Sequence, residues 1–319
     1  MLAITHPAPD LIELAIRPDP APADGQILID VRAAGLNRAD LHQRAGRYPA
    51  PPGWPADIPG LEYAGEVLAT GAGVKRWRVG DRVMGLVGGG AQAELVVVDA
   101  REAIAVPEGM SFTDAAAIPE AFLTAWDALV LRGRATDGDR VLVHSIGSGI
   151  GTAAAQLGRE LDLAIIGTSR TADKLDRSRE LGMVHGVLTN DREWPARVGE
   201  PVQVIIDTLG ALAFEQNLGL LAAKGRLVVL GTLTGGEAPG LDLSLVLRKR
   251  LTIVGTAMRV RSLAERIELV ELFSRLVLPL FDGGRLTPVV DRILPMRQIE
   301  TAHRLMQANE TFGKIVLAW

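Results

Sequence analysis

Residues 144–151 read HSIGSGIG. The apolar run RVLVHSI leads into them and GTAAAQLGREL follows. Glycines 147, 149 and 151 therefore sit between a strand-like and a helix-like segment. The spacing is not the strict G-x-G-x-x-G dinucleotide fingerprint, so spacing alone is a weak signal. The setting is stronger. A phosphate-binding loop must close a strand, open a helix and lie within a strand-helix-strand unit, and all three conditions hold. Backbone N–H groups at Gly147, Gly149 and Gly151 then approach a pyrophosphate, and the helix N-terminus adds partial positive charge. The competing reading is a tight turn with no ligand. Ser148 is not centred in a G-x-S-x-G nucleophile elbow. No Lys-Ser/Thr pair follows the glycines, as a nucleoside-triphosphate loop requires.

Working outward, the runs LAIIGTS, VQVIIDTLG, RLVVLGT and LTIVGTAM read as further strands, with ADKLDRSRELG and AFEQNLGLLAAKG as helices between them. Apolar runs without alternation suit a sheet buried on both faces. Alternating strands and helices predict an α/β fold with a doubly wound parallel sheet of the Rossmann type. In an NAD-binding unit the second strand ends in Asp or Glu, which bonds the ribose hydroxyls. Here that strand ends GTSRTADK, with Ser169 and Arg170 at its end and Lys174 one turn on. An acid there would repel a 2′-phosphate, whereas arginine grips it bidentately and lysine adds a point charge. Each charge-assisted bond contributes roughly 1.5–3 kcal/mol. The expected cofactor is NADPH rather than NADH, with Asp173 partly offsetting the preference. The alternative is that Arg170 and Lys174 are ordinary surface charges at a helix start.

The first third of the chain has another texture. QILIDVRAAG, YAGEVLATGAG, DRVMGLVGGG and AELVVVD are short strand-like runs broken by glycine, which suggest a compact β-rich domain. Residues 37–45 fit one or two helical turns, and the prolines of residues 49–59 impose an extended loop. SFTDAAAIPEAFLTAWDALVLRG looks helical, SLAERIELVELFSRLVLPLF reads as one long amphipathic helix, and HRLMQANETFGKIVLAW as a helix and a last strand. The tail is too small for a domain and is expected to pack on the first one.

With 319 residues, two domains are the default. The net charge of -4 argues against a polyanion binder, and Arg248, Lys249 and Arg250 read as a solvated helix end, so no nucleic-acid partner is expected. Absence of cysteine removes disulfides, thiolate nucleophiles and cysteine-liganded zinc. No run nears about 18 uninterrupted apolar residues, and the first residues lack a signal-peptide pattern, so a cytoplasmic protein with no membrane partner is expected.

Several motifs in order, AAGLNRADLHQRAGRYP, GLEYAGEV, VGDRVMGLVGGGAQAEL, AAAIPEAFLTAWDAL, the glycine loop and MQANETFGKIVL, carry a resemblance that runs nearly end to end. The chain resembles the zinc-free quinone oxidoreductases of the medium-chain dehydrogenase/reductase superfamily, closest to the p53-inducible quinone oxidoreductase branch. The resemblance implies a GroES-like catalytic domain over residues 1–117 and 258–319, a Rossmann domain over 118–257, and a cleft between them. Zinc alcohol dehydrogenases of that superfamily carry Gly-His-Glu and a catalytic cysteine. Here the stretch is Gly60-Leu61-Glu62, and the five histidines (6, 42, 144, 185, 303) lack ligand spacing. No metal is therefore expected, and direct hydride delivery to a quinone or activated alkene is the implied task. By resemblance, Asn37, Asp40 and Tyr48 line the acceptor end, Asn37 holding a carboxamide or carbonyl and Tyr48 stacking on a flat acceptor. Asp40 fits a helix cap equally well. His42 replaces a tyrosine or leucine of relatives, and Thr189 a tyrosine at the adenosine phosphate. The resemblance further implies cofactor contacts at Thr124, Ile150, Gly231 and Asn309, while Asp207 reads as a turn residue. LTIVGTAM resembles a strand that pairs across a homodimer. Two other functions share these features: an NADPH-dependent enone or enoyl-thioester reductase, and a non-catalytic NADPH-binding redox sensor.

Overall fold

The computed structural model describes residues 1–8, 11–238 and 240–319. They form two compact units, one of Met1–Leu123 with Met258–Trp319 and one of Thr124–Ala257. The first passage between units falls after Leu123, where the resemblance implies residue 117.

The opening segment supplies β1 (Leu2–Thr5), β2 (Glu13–Ile16), β3 (Gln26–Gly35), α1 (Arg38–Arg44), β4 (Glu62–Thr70), β5 (Arg82–Leu86), β6 (Leu95–Asp99), β7 (Ile104–Ala105), α2 (Phe112–Ala115) and the start of α3 (Pro119–Trp126). The second unit continues with β8 (Arg140–Val143), α4 (Gly149–Glu160), β9 (Ala164–Ser169), α5 (Ala172–Arg179), β10 (Met183–Leu188), β11 (Val202–Asp207), α6 (Phe214–Leu220), β12 (Leu221–Val229), α7 (Leu243–Lys249) and β13 (Thr252–Gly255). The tail adds α8 (Leu263–Leu276), α9 (Leu278–Asp282), β14 (Val290–Pro295), α10 (Ile299–Ala308) and β15 (Lys314–Ala318).

In the second unit six parallel strands lie in the order β10-β9-β8-β11-β12-β13. The chain runs outward from β8 to one edge and from β11 to the other, which puts the topological switch point at their C-terminal ends. Leu142, Ile166, Ile205 and Leu227 on the central strands pack with Leu218 of α6 and Trp194. Val141, Val143, Ile165, Val204 and Ile206, on the opposite face, are buried as well, and burial on both faces is what the unbroken apolar runs anticipate. In the first unit the order is β14-β15-β3-β4-β5-β7, with β6 on β3. Ile27, Ile29, Val31, Tyr63, Val67, Val83 and Val96 share one core with Met296, Ile299, Ile315 and Leu317 of the tail. The tail thus completes the first unit: β15 pairs with β3 directly. These features make an α/β fold with a Rossmann-type sheet and a β-rich GroES-like domain.

Five expectations change. The long tail helix breaks at Val277 into α8 and α9, because Pro279 has no N–H and its ring crowds the preceding turn. The helical reading of residues 111–133 splits at Pro119 into α2 and α3, and continues as a π-helical turn over Asp127–Arg132. The helix read over residues 213–225 ends at Leu220, and its last residues already belong to β12. Strands β10 and β14 were not anticipated, since half-exposed edge strands carry little apolar signal. The basic cluster does end a helix, α7, but Lys249 is not merely solvated. Its Nζ donates to the carbonyls of Gly219 (2.7 Å) and Leu221 (2.6 Å), capping the end of α6. Among the described residues no helix is long and apolar enough to cross a membrane.

Two outcomes follow from this packing. A Cβ on Gly151, in the first turn of α4, would lie 2.4 Å from the carbonyl oxygen of Ile146. Gly151→Ala should lower stability by about 1–3 kcal/mol, read as a drop in the urea midpoint. In the first unit His6 and His303 pack edge to face with ring centroids 6.3 Å apart. Burial, with Arg44 nearby, lowers their pKa values from 6.5 to about 4 and about 3. Below pH 6.5 the unfolded chain therefore binds protons that the native state does not, so stability falls as pH drops through this window. In denaturation series from pH 7 to 4.5, His303→Gln should gain on the wild type by up to ~1.4 kcal/mol per pH unit.

Candidate functional site

The second unit contributes a loop-and-helix cradle. β8 ends at Val143 and the chain turns sharply through Ser145, whose φ of 54° is left-handed. Two bonds fix the turn: the Ile146 N–H to the Thr168 carbonyl (3.0 Å) and the Ser148 N–H to the Ser145 carbonyl (2.8 Å). Beneath it, buried His144 meets Thr168 Oγ1 at 2.9 Å and Asn217 Oδ1 at 2.8 Å, and burial keeps its pKa low. His144 is thus an anchor for the loop. Ser148 caps α4 by accepting the Gly151 N–H at 3.0 Å. That leaves the N–H groups of Gly149 and Ile150 at the start of a 12-residue helix without an intrahelical acceptor, which is the arrangement an anion needs. Gly147 is buried within the turn.

At the end of β9, Ser169 Oγ accepts the Thr171 N–H (3.2 Å) and sets the turn into α5. Arg170 is exposed and forms no ion pair among the described residues, and Lys174 is half-buried in the first turn of α5. Asp173, the acid that precedes Lys174, lies 3.8 Å from Arg177. At the end of β11, Asp207 is buried and accepts the N–H groups of Leu209 (2.7 Å) and Gly210 (3.2 Å), so it is a turn residue. The Gly231 N–H reaches the Asp207 carbonyl at 3.3 Å. Thr124 carries a buried hydroxyl with no partner among the described residues. An orphaned hydroxyl and two open N–H groups at a helix start fit a dinucleotide.

The first unit holds a compact polar cluster. Glu62 opens β4 and Lys314 opens β15, both almost fully buried, and Lys314 Nζ lies 2.6 Å from Glu62 Oε1. Asn37, which precedes α1, joins them: its Nδ2 donates to Glu62 Oε1 (2.9 Å) and its Oδ1 accepts from Lys314 Nζ (2.6 Å). The other Glu62 oxygen accepts the Glu120 N–H at 2.8 Å. Asp40 has no exposed surface. Its Oδ2 takes the Asn37 N–H (2.8 Å) and its Oδ1 the Gly60 N–H (3.2 Å). Burial raises the Asp40 pKa to about 6. Burial and the Glu62 charge raise that of Glu120 to about 7. Half-buried Tyr48 lies under the Arg259 guanidinium, 4.7 Å from the ring centroid. Burial and then Glu120 push the Tyr48 phenol up.

Of the acceptor-end residues named from the sequence, Asn37 and Asp40 fall in one cluster and Tyr48 beside it. Asp40 serves as the cap of α1, behind the surface rather than on it. Asn309, on the tail, takes a left-handed φ of 58° at the end of α10 and accepts from Arg38 Nη2 at 2.8 Å. That is a helix C-cap. The reading from sequence missed Lys314, Glu120 and Arg259, and assigned no role to Glu62. A signal existed for two of them: a lone charge opening an apolar strand, as in GLEYAG and GKIVLA, must find a buried partner.

Residues 23–108 match the family described as alcohol dehydrogenase GroES-like domain, and residues 149–275 the one described as zinc-binding dehydrogenase. The chain is 30% identical to the synaptic vesicle membrane protein VAT-1 homolog of Homo sapiens, over 97% of this chain and 83% of that protein. It is 33% identical to polyketide synthase GfsB of Streptomyces halstedii, over 92% of this chain but 5% of that far longer protein. The solved structure of an NAD-dependent alcohol dehydrogenase matches with a TM-score of 0.89 and 30% identity, covering 100% of both chains. A quinone oxidoreductase of Pseudomonas syringae pv. Tomato DC3000 also has a TM-score of 0.89, covering 100% of this chain and 99% of that one, but at 24% identity the likeness is one of fold. None of these likenesses singles out the p53-inducible branch. Both halves of the chain, by matched family and by end-to-end relatives, agree: the chain belongs to the medium-chain dehydrogenase/reductase superfamily and is an oxidoreductase of that type.

Proposed function

We propose that this chain reduces quinones with NADPH by direct hydride transfer and without zinc. The observation that carries the cofactor assignment is the end of β9, where an uncommitted Arg170 stands in place of a carboxylate. Arg170 and Lys174 bind the 2′-phosphate. The Gly149 and Ile150 N–H groups, with the positive end of α4, hold the pyrophosphate. Thr124 donates its hydroxyl to the nicotinamide ribose. Bound NADPH supplies a hydride from C4 of its nicotinamide. Tyr48, carried on Arg259, offers its ring to a flat acceptor. Asn37 and Asp40 hold the acceptor end in place through Glu62 and Lys314. Leu61 stands where zinc dehydrogenases carry a ligand histidine, and it is 4% exposed, part of the apolar interior. Proximity and alignment, rather than a Lewis acid, are what these residues supply.

The likeness to a segment of a polyketide synthase favours a second reading, an NADPH-dependent enone or enoyl-thioester reductase. It shares the cofactor and the hydride step and differs in the acceptor. We also read the protein as a cytoplasmic homodimer. The outer strand β13 exposes Ile253 (40%), and neighbouring α7 exposes Leu243 (68%) and Leu247 (77%), an apolar edge that suits pairing with a second copy.

NADPH oxidation should be faster with benzoquinones and naphthoquinones than with enones or enoyl thioesters, by at least about tenfold in kcat/KM, a gap of ~1.4 kcal/mol. The opposite order would assign the chain to the second reading. Arg170→Asp should weaken NADPH binding by about ten- to a hundredfold and leave NADH binding unchanged, measured by fluorescence titration. Equal NADPH affinity in both proteins would remove Arg170 from the phosphate site.

A further inference from the structure

The polar cluster contains three carboxyl groups, Asp40, Glu62 and Glu120, around one buried cation, Lys314. Their hydrogen-bond partners differ. Glu62 is committed on both oxygens, to Lys314 and Asn37 on one and to the Glu120 N–H on the other. Asp40 is sealed from solvent and held on both oxygens by backbone N–H groups. The Glu120 carboxyl accepts no hydrogen bond among the described residues, and it alone of the three lies on a half-exposed residue. Arg259 and Tyr48 lie within electrostatic reach of it. Arg259, however, has directed its three nitrogens elsewhere, to the carbonyls of Gly88 (2.7 Å) and Tyr48 (2.8 Å) and to Gln43 Oε1 (2.8 Å). Nothing therefore locks Glu120 in the charged form.

From this geometry we infer that the Glu120 carboxyl is the acid that protonates the reduced acceptor. The inference rests on the hydride-transfer reading above, but not on which acceptor is used. A hydride brings two electrons and one hydrogen nucleus, so a quinone or an enone is left as an anion, a hydroquinone monoanion or an enolate. One further proton completes the product. The Glu120 O–H bond breaks as the new bond to oxygen or carbon forms, and the carboxylate recovers its proton from water on its exposed side. The charges facing Glu120 tune this role. Burial, Glu62 on β4 and Asp40 on α1 raise its pKa, while Lys314 on β15 and Arg259 lower it, to a balance at about 7. A group balanced there is present as the acid and is readily restored at neutral pH.

The test combines single-turnover NADPH oxidation with infrared titration of the carboxyl C=O band, for the wild type, Glu120→Gln and Glu120→Asp. In the wild type the single-turnover rate should fall as pH rises through about 7, and a C=O band should disappear over the same range. Glu120→Gln should lack that band, turn over about a hundredfold more slowly, lose the descending limb and keep its NADPH affinity. Glu120→Asp should retain a descending limb. A slowed Glu120→Gln whose limb persists would make Glu120 a positioning residue and overturn the inference, as would an unchanged rate. A wild type that binds NADPH but oxidises it with no quinone or enone would remove the hydride reading itself, and this inference with it.

Discussion

The ion pair between Lys314 and Glu62 is the constraint around which the first unit is built. Removing a carboxylate and an ammonium from water costs several kcal/mol each, and the pair holds only when the remaining lone pairs and protons are satisfied. The two side chains come from β15 and β4, strands on either side of β3. They meet where β3 ends at Gly35. A Cβ there would lie 2.3 Å from Glu62 Oε1 and 2.5 Å from the Ala116 carbonyl, so the glycine is a requirement of the pair. The remaining valences shape the surroundings. Asn37 bridges both charges, Lys314 also donates to the Leu36 carbonyl at 2.8 Å, and the start of α3 is tied to Glu62 by the Glu120 N–H. Asp40 then holds Asn37 from behind.

The candidate residues of the two units were unequally legible in the sequence. The loop-and-helix cradle of the second unit is local. The strand, the glycine turn, the capped helix and the cationic end of the next strand fall within residues 140–174, so spacing and residue type carry the reading. Asp207 was recognised as a turn residue for the same reason, since its partners are two and three residues away. The polar cluster of the first unit is assembled from α1, β4, α3, β15 and the segment after β13. Resemblance pointed to Asn37, Asp40 and Tyr48, but the partners that decide what each can do lie far along the chain. Tyr48 and Arg259 are 211 positions apart, and Asn37 and Lys314 are 277. No periodicity encodes such pairs. Glu120 looks like an ordinary first-turn acid until the fold surrounds it with two other carboxyl groups.

Fold errors have local causes too. Prolines at 119 and 279 were read through because the apolar period continues across them, although each interrupts the helix. Strands β10 and β14 sit at sheet edges, where one side needs no apolar cover, so their sequences MVHGVL and VDRILP resemble loops. In both cases periodicity outvoted a single residue or a weak composition, and backbone chemistry or sheet position decided the outcome.

The position of β15 has a consequence for how the chain is made. This strand is inserted between β14 and β3, and among the described residues it carries the one cation paired directly with Glu62. While residues 1–313 emerge from the ribosome, the first unit lacks a central strand and its core holds an uncompensated carboxylate. The second unit is continuous in the chain and has every strand of its sheet by residue 255. Synthesis therefore imposes an order: the second unit can close while the first is still open, and the first is completed only once β15 is free of the exit tunnel. Loss of β15, far along the sequence from β3, therefore strikes the interior of the first unit.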